Sequence, residues 1–86
     1  MKEVRSWLRK MGFTRLVAIE KFEAELYSKS LPKGRLLIRF DWGCFLVFYD
    51  RGVGETRRLK GFSEGWEMSD VENWMENELP FLLMEE

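Results

Sequence analysis

The chain has no histidine, one cysteine and two prolines, and from Phe62 to Glu86 it has no basic residue at all. Each gap excludes something. Without histidine, a serine or cysteine nucleophile lacks its usual base, and the commonest metal ligand is missing. One cysteine cannot close an internal disulfide, so nothing points to an oxidising compartment. Cys44 lies within "WGCFLVFY", where apolar neighbours suit a small buried group better than an activated thiolate. The carboxylates show no D-x-D-x-D-G spacing, and Gly52 and Gly54 mark a hairpin turn rather than a phosphate cradle. Neither a metal nor a cofactor is expected. Carboxylate pairs remain for acid–base work, but most read as solvated helix surface, and so short a chain makes a poor substrate cleft. The expectation is a protein that is not an enzyme.

Long apolar runs are also missing. The longest stretch without a charge is Trp42 to Tyr49, eight residues, against the roughly 20 that a membrane-spanning helix needs. The opening "MKEVRSWLRKMGF" spreads its charges and has no apolar signal-peptide core. A single domain over residues 1–86, soluble and cytoplasmic and without a membrane partner, is expected.

What is present is aromatic and charged. Four tryptophans and seven phenylalanines in 86 residues allow a small core to be built from a few large groups. The net charge of −1 hides a strong asymmetry. Residues 1–28 hold six basic and four acidic side chains, residues 29–61 eight and three, and residues 62–86 none and eight.

The opening segment reads as a short helix. Val4, Trp7, Leu8 and Met11 recur at i, i+3, i+4 and i+7, and Gly12 supplies a left-handed stop with Phe13 folding back on Leu8. Residues 14–28 fit either a helix or a strand. Strict alternation in "KFEAELYS" favours a strand over about residues 20–28. "SLPKGR" is a turn. A hairpin tipped by Trp42 and Gly43, with a longer loop and a shifted register as the alternative because Trp is unusual at a tip, pairs Phe40 with Phe45, Ile38 with Val47 and Leu36 with Tyr49 on one face. It pairs Arg35 with Asp50 and Leu37 with Phe48 on the other. Residues 44–49 are apolar on both faces, which predicts a central strand covered on both sides. "ETRRLKGF" reads as a charged edge strand. Ser69 and Glu72 form a capping-box pattern for a last helix that buries Val71, Trp74 and Met75 and ends or kinks at Pro80. The expected fold is α+β, an antiparallel meander of three or four strands flanked by an N-terminal and a C-terminal helix.

With three strands, that order is the order of the double-stranded RNA-binding domain, which holds phosphates with a lysine-rich N-terminus on its last helix. The matching stretch here, "SDVENWMENE", has four acids and no lysine, so the resemblance is rejected on chemistry.

Two surfaces then compete for function. The acidic C-terminal quarter, with Trp66, Glu72, Glu76, Glu78 and Phe81, reads as a docking face for a basic protein partner, as an inhibitor or an adaptor would present. Charge steers association and the aromatics anchor it. The alternative is nucleic-acid binding through Arg35, Arg39, Arg57, Arg58 and Lys60, with Trp42 to stack on bases. Arg57 and Arg58 must point to opposite faces of a regular strand, which narrows that patch. A third arrangement is self-association, the basic edge of one copy meeting the acidic helix of another.

Overall fold

The computed structural model describes residues 2–19, 24–52 and 54–85. Helix α1 (Lys2–Lys10) leads into five strands, β1 (Thr14–Ile19), β2 (Ala24–Leu31), β3 (Gly34–Phe40), β4 (Phe45–Asp50) and β5 (Thr56–Phe62). Helices α2 (Met68–Asn77) and α3 (Leu79–Met84) close the chain. The strands lie in the order β1-β2-β3-β4-β5, each antiparallel to its neighbours. The fold is the expected α+β meander with flanking helices, but with five strands rather than three or four.

The extra strand is β1, and residues 14–28 contain no helix among the described positions. β2 runs through Leu31, into the residues read as a turn, and β3 begins at Gly34, so that only Pro32 and Lys33 separate Leu31 from its partner Gly34. Positions 20–23 of the expected strand lie outside the described residues. The β3–β4 hairpin has the register that its alternation predicts. Phe40 faces Phe45, Ile38 faces Val47, Leu36 faces Tyr49, Leu37 faces Phe48 and Arg35 faces Asp50. β5 is an edge, as its charges require, and both edge strands are bulged, at Leu16 in β1 and Leu59 in β5. A bulge interrupts the row of free backbone groups that would otherwise recruit another strand.

All three helices pack on one face of the sheet. Val4 and Leu8 of α1, Val71, Trp74 and Met75 of α2, and Leu79 of α3 join Tyr27, Leu36, Ile38, Phe40, Phe45, Val47 and Tyr49 in one core. Aromatic rings run across its strands. Phe40 stacks on Tyr27 and on Phe45 at 5.7 Å, Phe45 meets Phe62 edge-on at 6.2 Å, and Phe62 meets Trp74 at 6.3 Å. Each fully buried ring of this kind stabilises the fold by roughly 1.5–3 kcal/mol.

The other sheet face corrects an expectation. Leu46 and Phe48 were predicted to be covered like Val47 and Tyr49, yet they remain half-buried and stand outside the core, as do Leu26 and Leu37. With every described helix on one side, helices cover β4 once, not twice. The end of the chain differs too. Pro80 does not merely stop α2; it occupies the first turn of α3, where its missing N–H costs nothing. Leu79, Leu82 and Leu83 then hold the tail on the core.

Candidate functional site

The residues of the acidic quarter separate into three groups. Trp66 is packed inward. Its ring meets Phe45 at 5.1 Å and Phe40 at 6.3 Å, both edge-on, and its indole Nε1 donates to the Asp41 carbonyl at 3.2 Å. The residue pins the β5–α2 loop to the tip of the β3–β4 hairpin, so it is not the exposed anchor expected. Trp74 is buried, as predicted. Glu72 is half-buried and lines a groove between α1 and α2 with Lys2, Trp7, Lys10 and Met68.

The third group is open to water. Glu76 and Glu78 are exposed, Phe81 is 68% exposed and Met84 81%. Glu78, Phe81 and Glu85 recur at helical spacing, so two carboxylates flank one bare ring. Leu79, Leu82 and Leu83 of the same segment face the core, which fixes α3 and turns Phe81 and Met84 outward. Sequence reasoning missed Met84 and Glu85. The usable signal was the helical period of "LPFLLM", hidden by the reading of Pro80 as a terminator.

Among the described residues, the acids after Phe62 form no ion pair. Among the described residues, the ion pairs join Arg5 and Arg15 to Glu25, Arg35 to Asp50, and Arg39 to Asp41. None of Glu64, Glu67, Asp70, Glu72, Glu76, Glu78 or Glu85 takes part in these pairs.

The basic strands are divided by the sheet. Arg35, Arg39 and Arg58 lie on the face away from the helices, opposite Asp50, Leu46 and Phe48 in turn, while Arg57 pairs with Tyr49 and Lys60 with Val47 on the helix side. Lys60 Nζ lies 5.4 Å from the Phe62 ring. Arg35 Nε donates to Asp50 at 2.9 Å, and Arg39 is 3.9 Å from Asp41. The Gly52 amide and Arg35 together hold the Asp50 carboxyl below its ordinary value. Burial works to raise Asp41, but the amides of Gly43 and Cys44, donating at 2.7 and 2.9 Å, outweigh it and lower the carboxyl. Burial and that same carboxylate push the Cys44 thiol up, away from the thiolate.

Trp42 and Gly43 do form the hairpin tip, closed by the Asp41 amide donating to the Cys44 carbonyl at 3.0 Å. Trp42 is 63% exposed there. No described helix is long and apolar enough to cross a membrane. No family model matches the chain, and no curated protein or solved structure matches it either.

Proposed function

We propose that this chain is a non-enzymatic cytoplasmic domain that docks a basic protein partner through the exposed acidic side of α2 and α3. One observation carries the reading. Among the described residues Glu76, Glu78 and Glu85 form no ion pair, and Glu78 and Glu85 flank, at helical spacing, apolar side chains that face water. Uncompensated charge accelerates and orients encounter with an opposite surface, and exposed Phe and Met supply area to bury once contact is made. An inhibitor filling a basic cleft and an adaptor joining two proteins would both use such a surface.

The nucleic-acid alternative has less support. Arg57 and Lys60 are turned away from Arg35, Arg39 and Arg58, which leaves three of the five expected cations on one face.

The test is capture of partners from native lysate by the tagged chain, with and without nuclease, beside a Glu76→Lys/Glu78→Lys variant. A stoichiometric protein that survives nuclease and is lost in the variant is the expected result. Capture that depends on nucleic acid, or is indifferent to the reversal, overturns the reading.

A further inference from the structure

The open sheet face has the composition that the acidic surface calls for. Its cross-strand rows are Leu26, Arg39, Leu46 and Gly61, then Ser28, Leu37, Phe48 and Arg58, then Ser30, Arg35, Asp50 and Thr56. Half-buried Leu26, Leu37, Leu46 and Phe48 make an apolar centre with guanidinium groups around it. At Gly61 the absent Cβ leaves room that the Leu46 side chain closes to 3.2 Å, with the Arg58 guanidinium at 3.9 Å, so Arg58 lies over the sheet rather than away from it. Asp50 and Asp41 sit lower than their partners. The Arg35 and Arg39 side chains are 47% and 44% exposed, the two carboxylates only 12% and 20%. An approaching surface therefore meets cations and apolar carbon.

That is the complement of the α3 surface, where Glu78 and Glu85 flank exposed Phe81 and Met84, with exposed Glu76 in the last turn of α2. Because the described helices all pack on the far side of the sheet, the two surfaces cannot meet within one molecule. We infer that a second copy of this chain is a partner of the acidic surface: the α2–α3 end of one molecule docks on the open sheet face of the next, head to tail. This rests on the docking reading above and names an occupant for it. A sheet-to-sheet pair would instead set three arginines of one copy against three of the other, which disfavours it. A heterologous contact of this kind leaves one surface of each kind free at the ends, so it extends with concentration unless the rotation closes a ring.

The experiment is the solution mass, by light scattering and sedimentation equilibrium, of the full chain and two variants. Glu78→Lys/Glu85→Lys disables the helix surface and Arg39→Glu/Arg58→Glu the sheet surface, each weakening association by about tenfold or more. Arg39→Gln/Arg58→Gln carries the same expectation should the reversal unfold the chain. The mass of the unaltered protein should rise with concentration at low salt and fall towards the monomer in about 1 M salt, where charges are screened beyond about 3 Å. Each variant alone should stay monomeric. An equimolar mixture should form a dimer and stop there, since it joins the one intact helix surface to the one intact sheet surface.

A chain that stays monomeric up to about 1 mM, where even a millimolar contact is half formed, overturns the inference. So does association that survives in the helix variant, which would be sheet on sheet, or a mixture that remains monomeric. Uptake of an oligothymidine by a monomeric chain, lost in the sheet variant, overturns it in favour of nucleic acid. If a foreign protein is still captured through Glu76 and Glu78 while the chain is monomeric, the docking reading stands and the second copy falls. If the Glu76 and Glu78 reversal changes no capture at all, both fall.

Discussion

Glu25 is the residue on which the packing of α1 turns. Its carboxylate is 5% exposed, accepts from Arg5 Nε at 2.6 Å and from the Tyr27 hydroxyl at 3.3 Å, and lies 3.7 Å from Arg15. A helix, the first strand and the second strand thereby share one acceptor. Both arginines are nearly half exposed, so water screens much of what the ion pairs contribute. The buried phenol has no such relief. In Glu25→Ala it loses its acceptor, and the cost should be about 1–3 kcal/mol in urea unfolding, the usual penalty for an orphaned buried donor. Burial first, and then the Glu25 charge, raise the Tyr27 pKa above that of a free phenol. A group whose folded pKa is raised stabilises fully below its unfolded value, near 10, and that contribution is lost as pH rises towards the folded value. Stability should therefore fall with pH above about 10. In Glu25→Gln, phenolate absorbance should show Tyr27 titrating earlier than in the parent but still late, because burial remains.

The helices show which local signals carry. α1 ends as its sequence predicts: the Phe13 amide donates to Leu8 and the Gly12 amide to Arg9, each at 3.0 Å, with Gly12 at φ 92°. Gly12→Ala puts a Cβ where only glycine is comfortable and should cost about 1 kcal/mol of thermal or urea stability. α2 departs from its signal. Ser69 and Glu72 have the spacing of a capping box, yet the helix begins at Met68 and its N-cap is Glu67, which makes no side-chain cap bond. The Glu67 backbone is already in the extended geometry of a cap, at φ −119° and ψ 151°. Replacing it with Asp or Ser should stabilise the protein by about 0.5–1 kcal/mol, a gain readable as a raised urea midpoint. Legibility followed the same division. The β3–β4 register was readable because each face alternates over six pairs, so a one-residue slip would invert every side chain. β1 was not, because a bulge at Leu16 breaks its period and "RLVAIE" fits both kinds of repeat. Trp66 was misplaced because it sits in a loop, where no period says which way a ring points. The exposure of Phe48 was missed because apolar sequence on both faces does not reveal how many layers exist to cover it.

At the scale of the molecule, the described acids after Phe62 and the arginines of β3 lie on opposite sides of the sheet. The described acids after Phe62 make no ion pairs, whereas the cations of β3 are paired on the far face. Structural and functional readings of those acids predict opposite signs for one simple measurement. Glu76 stands in the last turn of α2, a turn without a basic residue, where a carboxylate opposes the negative end of the helix dipole. Glu76→Lys should therefore raise stability by about 0.3–1 kcal/mol. Glu78 is the C-cap of α2 and also the N-cap of α3, so its two dipole contributions oppose each other, and Glu78→Lys should leave the urea midpoint close to unchanged. Both substitutions should weaken partner capture. A gain of stability joined to a loss of binding is the mark of a residue kept for its surface role at a cost to the fold. If Glu76→Lys destabilises the protein instead, its carboxylate has a structural partner, and the acidic side of α2 is part of what holds the molecule together rather than what it offers to others.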